Sequence, residues 1–173
     1  MMTYIKTLIF SIIMSICSGL CCSAQKVDNT PISTPFELEK YLGSWYEIAR
    51  YDHSFERGLS HCKAQYTLKD NGKVEVRNNG VKNGKDKLAL GKAKRTKTPT
   101  VLRVSFFGPF YSDYRILLLA DDYSYALIGS KAAKYLWILS RTPKLAEDIR
   151  TKILAEATKR GYDVAKLIWV EHD

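Results

Sequence analysis

Cysteine is almost missing from the part of this chain that can fold as a domain. Of four cysteines, Cys17, Cys21 and Cys22 lie in an apolar N-terminal stretch, and Cys62 alone follows it. An internal disulfide is thereby excluded downstream, and the core has to hold by packing. Histidine is as scarce: His53, His61 and His172 are scattered singly, so no metal site is expected. His53, His61 and Cys62 invite a cysteine-nucleophile reading. In an extended strand, however, His61 and Cys62 point to opposite faces, and no glycine loop nearby would hold an oxyanion. Neither catalytic residues nor a cofactor are expected. Nothing reads as a flexible linker, so the 173 residues make one domain beyond the N-terminal stretch.

Acidic residues are outnumbered, 18 against 27 lysines and arginines, for a net charge of +9, or +8 without Lys6. The lysines are spread out, with one concentration from Val81 to Thr100, and no nucleic-acid recognition motif accompanies it; no nucleic acid is expected as partner. An anionic membrane surface is the nearer partner for peripheral contact if the chain is exported.

Export is what the first residues imply. "MMTYIKTLIFSIIMSICSGLCCSAQ" has one lysine, an uncharged apolar run from Thr7 to about Leu20, and small residues ending at Ala24, the layout of a secretory signal. The run falls short of the roughly 20 apolar residues of a membrane span. The expected division is a signal peptide over 1–24 and a domain over 25–173. A lipid-modified cysteine is the competing reading, but Ile16, Leu20 and Cys21, which precede the three cysteines, fit that processing site poorly. The expected location is periplasmic or secreted and soluble, with an outer-membrane lipoprotein as the alternative.

Lys26 to Thr34 is polar and reads as a loose or wrapping segment, and Pro35 to Leu42 as one helical turn ending at Gly43. Eight short strands follow: Ser44–Tyr51, Cys62–Lys69, Lys73–Asn79, Lys87–Arg95, Val101–Phe106, Tyr114–Ala120, Tyr125–Ser130 and Tyr135–Ser140. Turn signals such as Asp70-Asn71-Gly72, Asn83-Gly84 and Gly108-Pro109 separate most of them. Several alternate apolar and polar residues, as half-exposed antiparallel strands do. "YRILLLA" and "YLWILS" are apolar on both faces, so something must cover their outside. The cover is a helix with Thr142 as N-cap, Pro143 at its first position, Leu145, Ile149, Ile153 and Ala157 on its apolar face, and Gly161 as its stop. A final strand spans Lys166 to Val170.

Three motifs make this order of elements specific. Gly43-Ser44-Trp45 on the first strand, "LADDYSYALI" across the sixth turn and "LWILSRTP" at the end of the eighth strand resemble the three signature motifs of the lipocalin family. "GSWYEIARYDHSFERG", "VSFFGPFYSDY" and "YLWILSRTP" are similar in particular to its bacterial, apolipoprotein D-like subgroup. The resemblance runs from about Pro35 to the C-terminus. It implies an all-β fold: an eight-stranded up-and-down antiparallel β-barrel, with one C-terminal α-helix packed outside and a short ninth strand. It also implies that Gly43 lets the chain cross beneath the barrel and that Trp45 plugs the closed end against Arg141. The second motif is one residue short here, with only Ser124 between Tyr123 and Tyr125.

A barrel of eight strands has room for side chains or for one small ligand. Counting by twos from Trp45 and Arg141 points Glu47, Ala49, Tyr51, Tyr135, Trp137 and Leu139 inward. The middle strands add Tyr66, Leu68, Val76, Leu102, Val104, Phe106, Tyr114, Ile116, Ala126 and Ile128. Ala49, Tyr66, Val76, Phe106, Tyr114, Ile116, Ile128, Tyr135 and Trp137 are the expected ligand-binding set, with Tyr66 and Tyr114 placed toward the mouth. Glu47 needs a partner or a raised pKa, with tyrosine hydroxyls or water as partners. In the first loop, His53 and Arg57 would help an anionic headgroup.

This apolar, aromatic interior with a few hydroxyls suits a long hydrocarbon with a small polar head. The expected function is to bind and carry or store a fatty acid, lysophospholipid or similar lipid in the cell envelope, supporting membrane lipid maintenance, as a monomer or weak homodimer. The alternatives are a lipid-modifying enzyme on the same barrel and an interaction module whose barrel is filled by its own aromatics.

Overall fold

The computed structural model describes residues 26–172. The expected signal peptide and its three cysteines lie outside the described residues. A short helix, α1 (Leu38–Tyr41), leads into eight antiparallel strands: β1 (Gly43–Tyr51), β2 (Ser60–Leu68), β3 (Val74–Lys82), β4 (Lys85–Arg95), β5 (Val101–Phe107), β6 (Phe110–Leu119), β7 (Tyr125–Gly129) and β8 (Leu136–Ser140). Helix α2 (Glu147–Lys159) and the outer strand β9 (Leu167–Trp169) complete the chain. Each strand pairs with the next, and β1 pairs with both β2 and β8, so the sheet closes on itself. Closure removes the unpaired edges of an open sheet.

The seam of the barrel is uneven. Gly43 to Tyr46 pair with β2, whereas Ala49 to Tyr51 pair with β9. Thus β9 replaces β2 along the second half of β1, and the two strands part toward the open end.

Two apolar layers hold the molecule. The inner one gathers Trp45, Tyr66, Val76, Leu102, Ile116, Ala126, Ile128 and Leu139 inside the barrel. The outer one joins Leu117, Leu127, Leu136 and Ile138 on the outside of the sheet to Ile153 and Ala157 of α2. This explains why β6 to β8 are apolar on both faces: neither face meets water. The polar segment before α1 is bound to the wall, with Ile32 N–H donating to the Ile116 carbonyl and Thr100 Oγ1 to the Ile32 carbonyl.

Helix α2 begins at Glu147, later than the expected cap at Thr142. The Thr142 hydroxyl donates to the Lys144 carbonyl, and its N–H bonds Ser140 Oγ, so the chain from 140 to 144 is spent on a side-chain-stabilised turn instead of a first helical turn.

Candidate functional site

The closed end is built around Trp45. It is fully buried, its Nε1 donates to the Tyr41 carbonyl at 2.8 Å, and the Arg141 guanidinium lies 3.8 Å from its ring centroid. Arg141 also donates to the carbonyls of Lys40, Leu42 and Ser44 at 2.8 to 2.9 Å, and to those of Tyr41 and Tyr123 at 3.2 and 3.3 Å. One side chain therefore caps the end of α1, whose last carbonyls have no helical partner, and fixes the chain to the plug. Gly43 has φ +90°, a left-handed conformation open to glycine, and an added Cβ would sit 3.5 Å from Arg141. In the shortened second motif Tyr123 has φ 59°, which turns its ring into the inner core, where its hydroxyl accepts from Glu37 N–H.

Above the plug is a floor of hydroxyls. Tyr41 and Tyr114 share a hydrogen bond of 2.5 Å, and Tyr66 donates to Tyr114 at 3.1 Å. Burial pushes the Tyr66 hydroxyl up to about 12, and Tyr41 and Tyr114 are also raised, so the three stay protonated donors. Tyr66 and Tyr114 were expected toward the mouth. Tyr66 instead lies opposite Gly43 in the β1–β2 register, at the level of the plug, and Tyr114 reaches down to it.

The second polar group is a chain of side chains across the upper barrel. Arg50 Nη1 donates to Glu47 Oε1 at 2.5 Å, and Nη2 donates to the carbonyls of Glu56 and Leu59 at 2.8 and 2.9 Å. Glu56 Oε2 accepts from Trp137 Nε1 at 3.1 Å and lies 2.8 Å from His53 Nε2. All of Glu47, Arg50, His53 and Glu56 are buried. Burial and then the neighbouring Glu56 push Glu47 up to about 8, against the pull of Arg50. Glu56 goes the other way: burial raises it, but His53, Trp137 and Arg50 outweigh burial and hold it below its ordinary value. The interior thus keeps one firm carboxylate, Glu56 beside His53 and Trp137, and one that titrates late, Glu47 beside Arg50.

Toward the mouth, aromatic rings continue from this chain. Tyr135 stacks on Trp137 at 5.5 Å between centroids, and His53 stacks on Phe55 at 3.9 Å and meets Tyr135 edge-on. Phe106, Tyr114 and Trp137 are partly buried against the inner core, and Tyr66, Val76, Ile116 and Ile128 are buried within it. Eight of the nine expected ligand-binding residues are therefore inside the barrel or at its mouth.

Ala49 is the exception. It is fully buried in the outer layer beneath β9, and Tyr51 is also outside, packed on Tyr162. A β-bulge between Glu47 and Ala49 in the β1–β8 pairing reverses the alternation, which moves Ala49 out and Arg50 in. Leu68, expected inside, is exposed at the end of β2. Arg57, expected to help a headgroup, is exposed and paired with Asp52 at 2.6 Å. Cys62 is buried with its sulfur 3.8 Å from Arg50 Nη1, and burial followed by Glu47 pushes its thiol up to about 12, far from a nucleophile's range. A groove on the outer wall, lined by Tyr46, Lys63, Leu88 and His172 among others, is separate from this interior.

The closed barrel, the plug and the external helix are the geometry that a lipocalin-like domain describes, and the model of that domain matches residues 36–172. The chain belongs to the lipocalin family. It is 44% identical over 155 residues to the outer membrane lipoprotein Blc of Escherichia coli (strain K12), which covers 87% of this chain and 88% of that protein. It is 34% identical to apolipoprotein D of Mus musculus over 154 residues, 82% of this chain and 80% of that one. Both agree with the bacterial, apolipoprotein D-like subgroup. Insecticyanin from the tobacco hornworm Manduca sexta superimposes with a TM-score of 0.70 at 23% identity, covering 84% of this chain and 85% of that one, and shares the fold.

Two of the residues that build the upper chain, Arg50 and Glu56, carried no sequence signal for it. Arg50 reads as outward by alternation, and Glu56 sits in a loop that only the folded structure turns inward.

Proposed function

We propose that this lipocalin binds one long-chain lipid with a small polar head, a fatty acid or lysophospholipid, and carries or stores it in the cell envelope in support of membrane lipid maintenance. The observation that carries the reading is the layout of the interior. Between the tyrosine floor and the mouth, the wall is apolar (Val76, Leu102, Phe106, Ile116, Ile128), and polar groups are gathered at two levels, the hydroxyls below and the Arg50–Glu56 chain above. An acyl chain removes apolar surface from water at roughly 25 cal/mol per Å², which reaches micromolar affinity without a new ion pair. The likeness to an outer membrane lipoprotein supports an envelope location.

The same reading takes residues 1–24 as a signal peptide and Gln25 as the start of the mature chain. N-terminal sequencing of the exported protein should begin at or near Gln25; an acylated Cys21 or Cys22 would reverse this in favour of a lipoprotein.

Against a lipid-modifying enzyme stands the Cys62 thiol, buried and held protonated far from a nucleophile's range. A filled barrel is the remaining contrast, and the Tyr41–Tyr114–Tyr66 cluster favours it for the part of the interior next to the plug. The test is native mass spectrometry with lipid extraction, followed by competition binding with a non-tryptophan probe. Trp137→Ala should weaken lysophospholipid or fatty acid binding about tenfold, roughly 1.4 kcal/mol, with the fold retained. Unchanged affinity, or no saturable binding of any lipid, would decide for the filled barrel, and turnover of bound lipid would decide for the enzyme.

A further inference from the structure

In an up-and-down barrel the turns β1–β2, β3–β4, β5–β6 and β7–β8 share one end, here the open one. Phe107 and Phe110 flank Gly108-Pro109 at the tip of β5–β6 and are 77% and 79% exposed, the most exposed large apolar side chains among the described residues. Gly108 has φ +51°, so the tip is a tight, projecting turn. Phe55, on the β1–β2 loop of the same rim, is 53% exposed. Phe107 and Phe110, exposed to this degree, bury little in the folded domain, and two large rings presented side by side on one turn mark a contact surface, while Phe55 is stacked on His53.

Basic groups surround them. Lys82 and Lys85 bracket the β3–β4 turn, and Lys131 and Lys134 lie in the β7–β8 loop. Among the described residues, no carboxylate is within ion-pair distance of these four; Arg57 has Asp52, and Asp86 is the acidic neighbour of Lys85. Lys82 Nζ donates to the Arg57 carbonyl, and Lys134 Nζ is 4.7 Å from the Tyr135 ring centroid, so both ammonium groups are held at the rim.

We propose that this rim docks on an anionic bilayer, with Phe107 and Phe110 entering the headgroup boundary, the four lysines on lipid phosphates, and the barrel mouth facing the membrane. Aromatic rings settle at the headgroup level, and each nearby lysine strengthens attraction to anionic lipid. A second copy of the chain is the weaker occupant, because rim-to-rim pairing about a two-fold axis would set the same lysine ring against itself. Docking in this orientation is independent of what the interior holds and would give a bound lipid a path that never crosses water.

The test uses the purified exported protein and vesicles of phosphatidylglycerol or of phosphatidylcholine. The wild type should bind phosphatidylglycerol at least about tenfold more tightly, with binding largely lost at about 0.5 M salt. Phe107→Ser combined with Phe110→Ser, and in a second variant Lys82→Gln, Lys85→Gln, Lys131→Gln and Lys134→Gln combined, should each weaken that binding about tenfold or more. Interior probe affinity and urea midpoint should remain unchanged, which separates failure here from failure of the lipid-carrier reading. In Phe110→Trp, emission should shift to the blue and be quenched by brominated acyl chains on adding phosphatidylglycerol vesicles. Equal binding to both vesicle types without response to the rim variants would overturn the proposal. A blue shift that follows protein concentration without vesicles, with a dimer in sedimentation, would overturn it in favour of a second copy.

Discussion

Replacing Arg141 by alanine removes two things at once from the closed end. The first is a guanidinium 3.8 Å from the Trp45 centroid, a contact worth about 0.5 to 2 kcal/mol. The second is a fan of hydrogen bonds to five carbonyls, of which those to Lys40 and Ser44 reach water and those to Tyr41, Leu42 and Tyr123 are partly buried. Water replaces the exposed pair at little cost, while the partly buried ones contribute about 0.5 to 1 kcal/mol each. The expected loss is about 3 kcal/mol. At a urea slope of about 2 kcal/mol per molar this lowers the midpoint by about 1.5 M, and it lowers Tm by roughly 6 to 12 °C. Arg141→Lys, which keeps the charge and loses the planar fork, should recover about half. Urea unfolding followed by tryptophan fluorescence reads both, and the interior probe affinity should be unaffected because the site is at the other end. A midpoint shift below about 0.3 M at unchanged slope would refute the plug argument, as would lost affinity with an unchanged midpoint.

Ala49→Leu should overpack the layer beneath β9 and cost about 1 to 3 kcal/mol in urea unfolding, while interior probe affinity changes less than about twofold; a large affinity loss without destabilisation would put Ala49 back in the cavity. Glu47, whose pKa is raised from 4.5 to about 8, binds its proton more tightly folded than unfolded, so its contribution is full below pH 4.5 and is lost as pH rises to about 8. Glu47→Gln should remove that loss, so that the difference in unfolding free energy between pH 5 and pH 8.5 changes by about 1 kcal/mol or more in the variant's favour; identical pH profiles for variant and wild type would count against the burial argument.

Much of this molecule follows from local order in its sequence. Alternation in β2, β3 and β5 sets which residues face the core, turn residues at Asn83-Gly84 and Gly108-Pro109 set where strands reverse, and double-faced apolar strands require an external cover, which α2 supplies. The Gly43–Trp45 and Arg141 motifs place the plug because each residue type there meets one demand: positive φ, a large ring and a cation over it. Alternation fails where a bulge inserts one residue. At Glu47–Ala49 and at Ile116–Leu118 the phase resets, and no residue type at those positions announces it. The reset is decided by the registers that neighbouring strands impose across the closed sheet, a property of the whole barrel. For the same reason Arg50 points into the interior, and the first loop, turned inward, delivers His53 and Glu56 to it. A buried guanidinium must find its acceptors wherever the fold places them, and here they come from residues whose own sequence reads as an exposed loop.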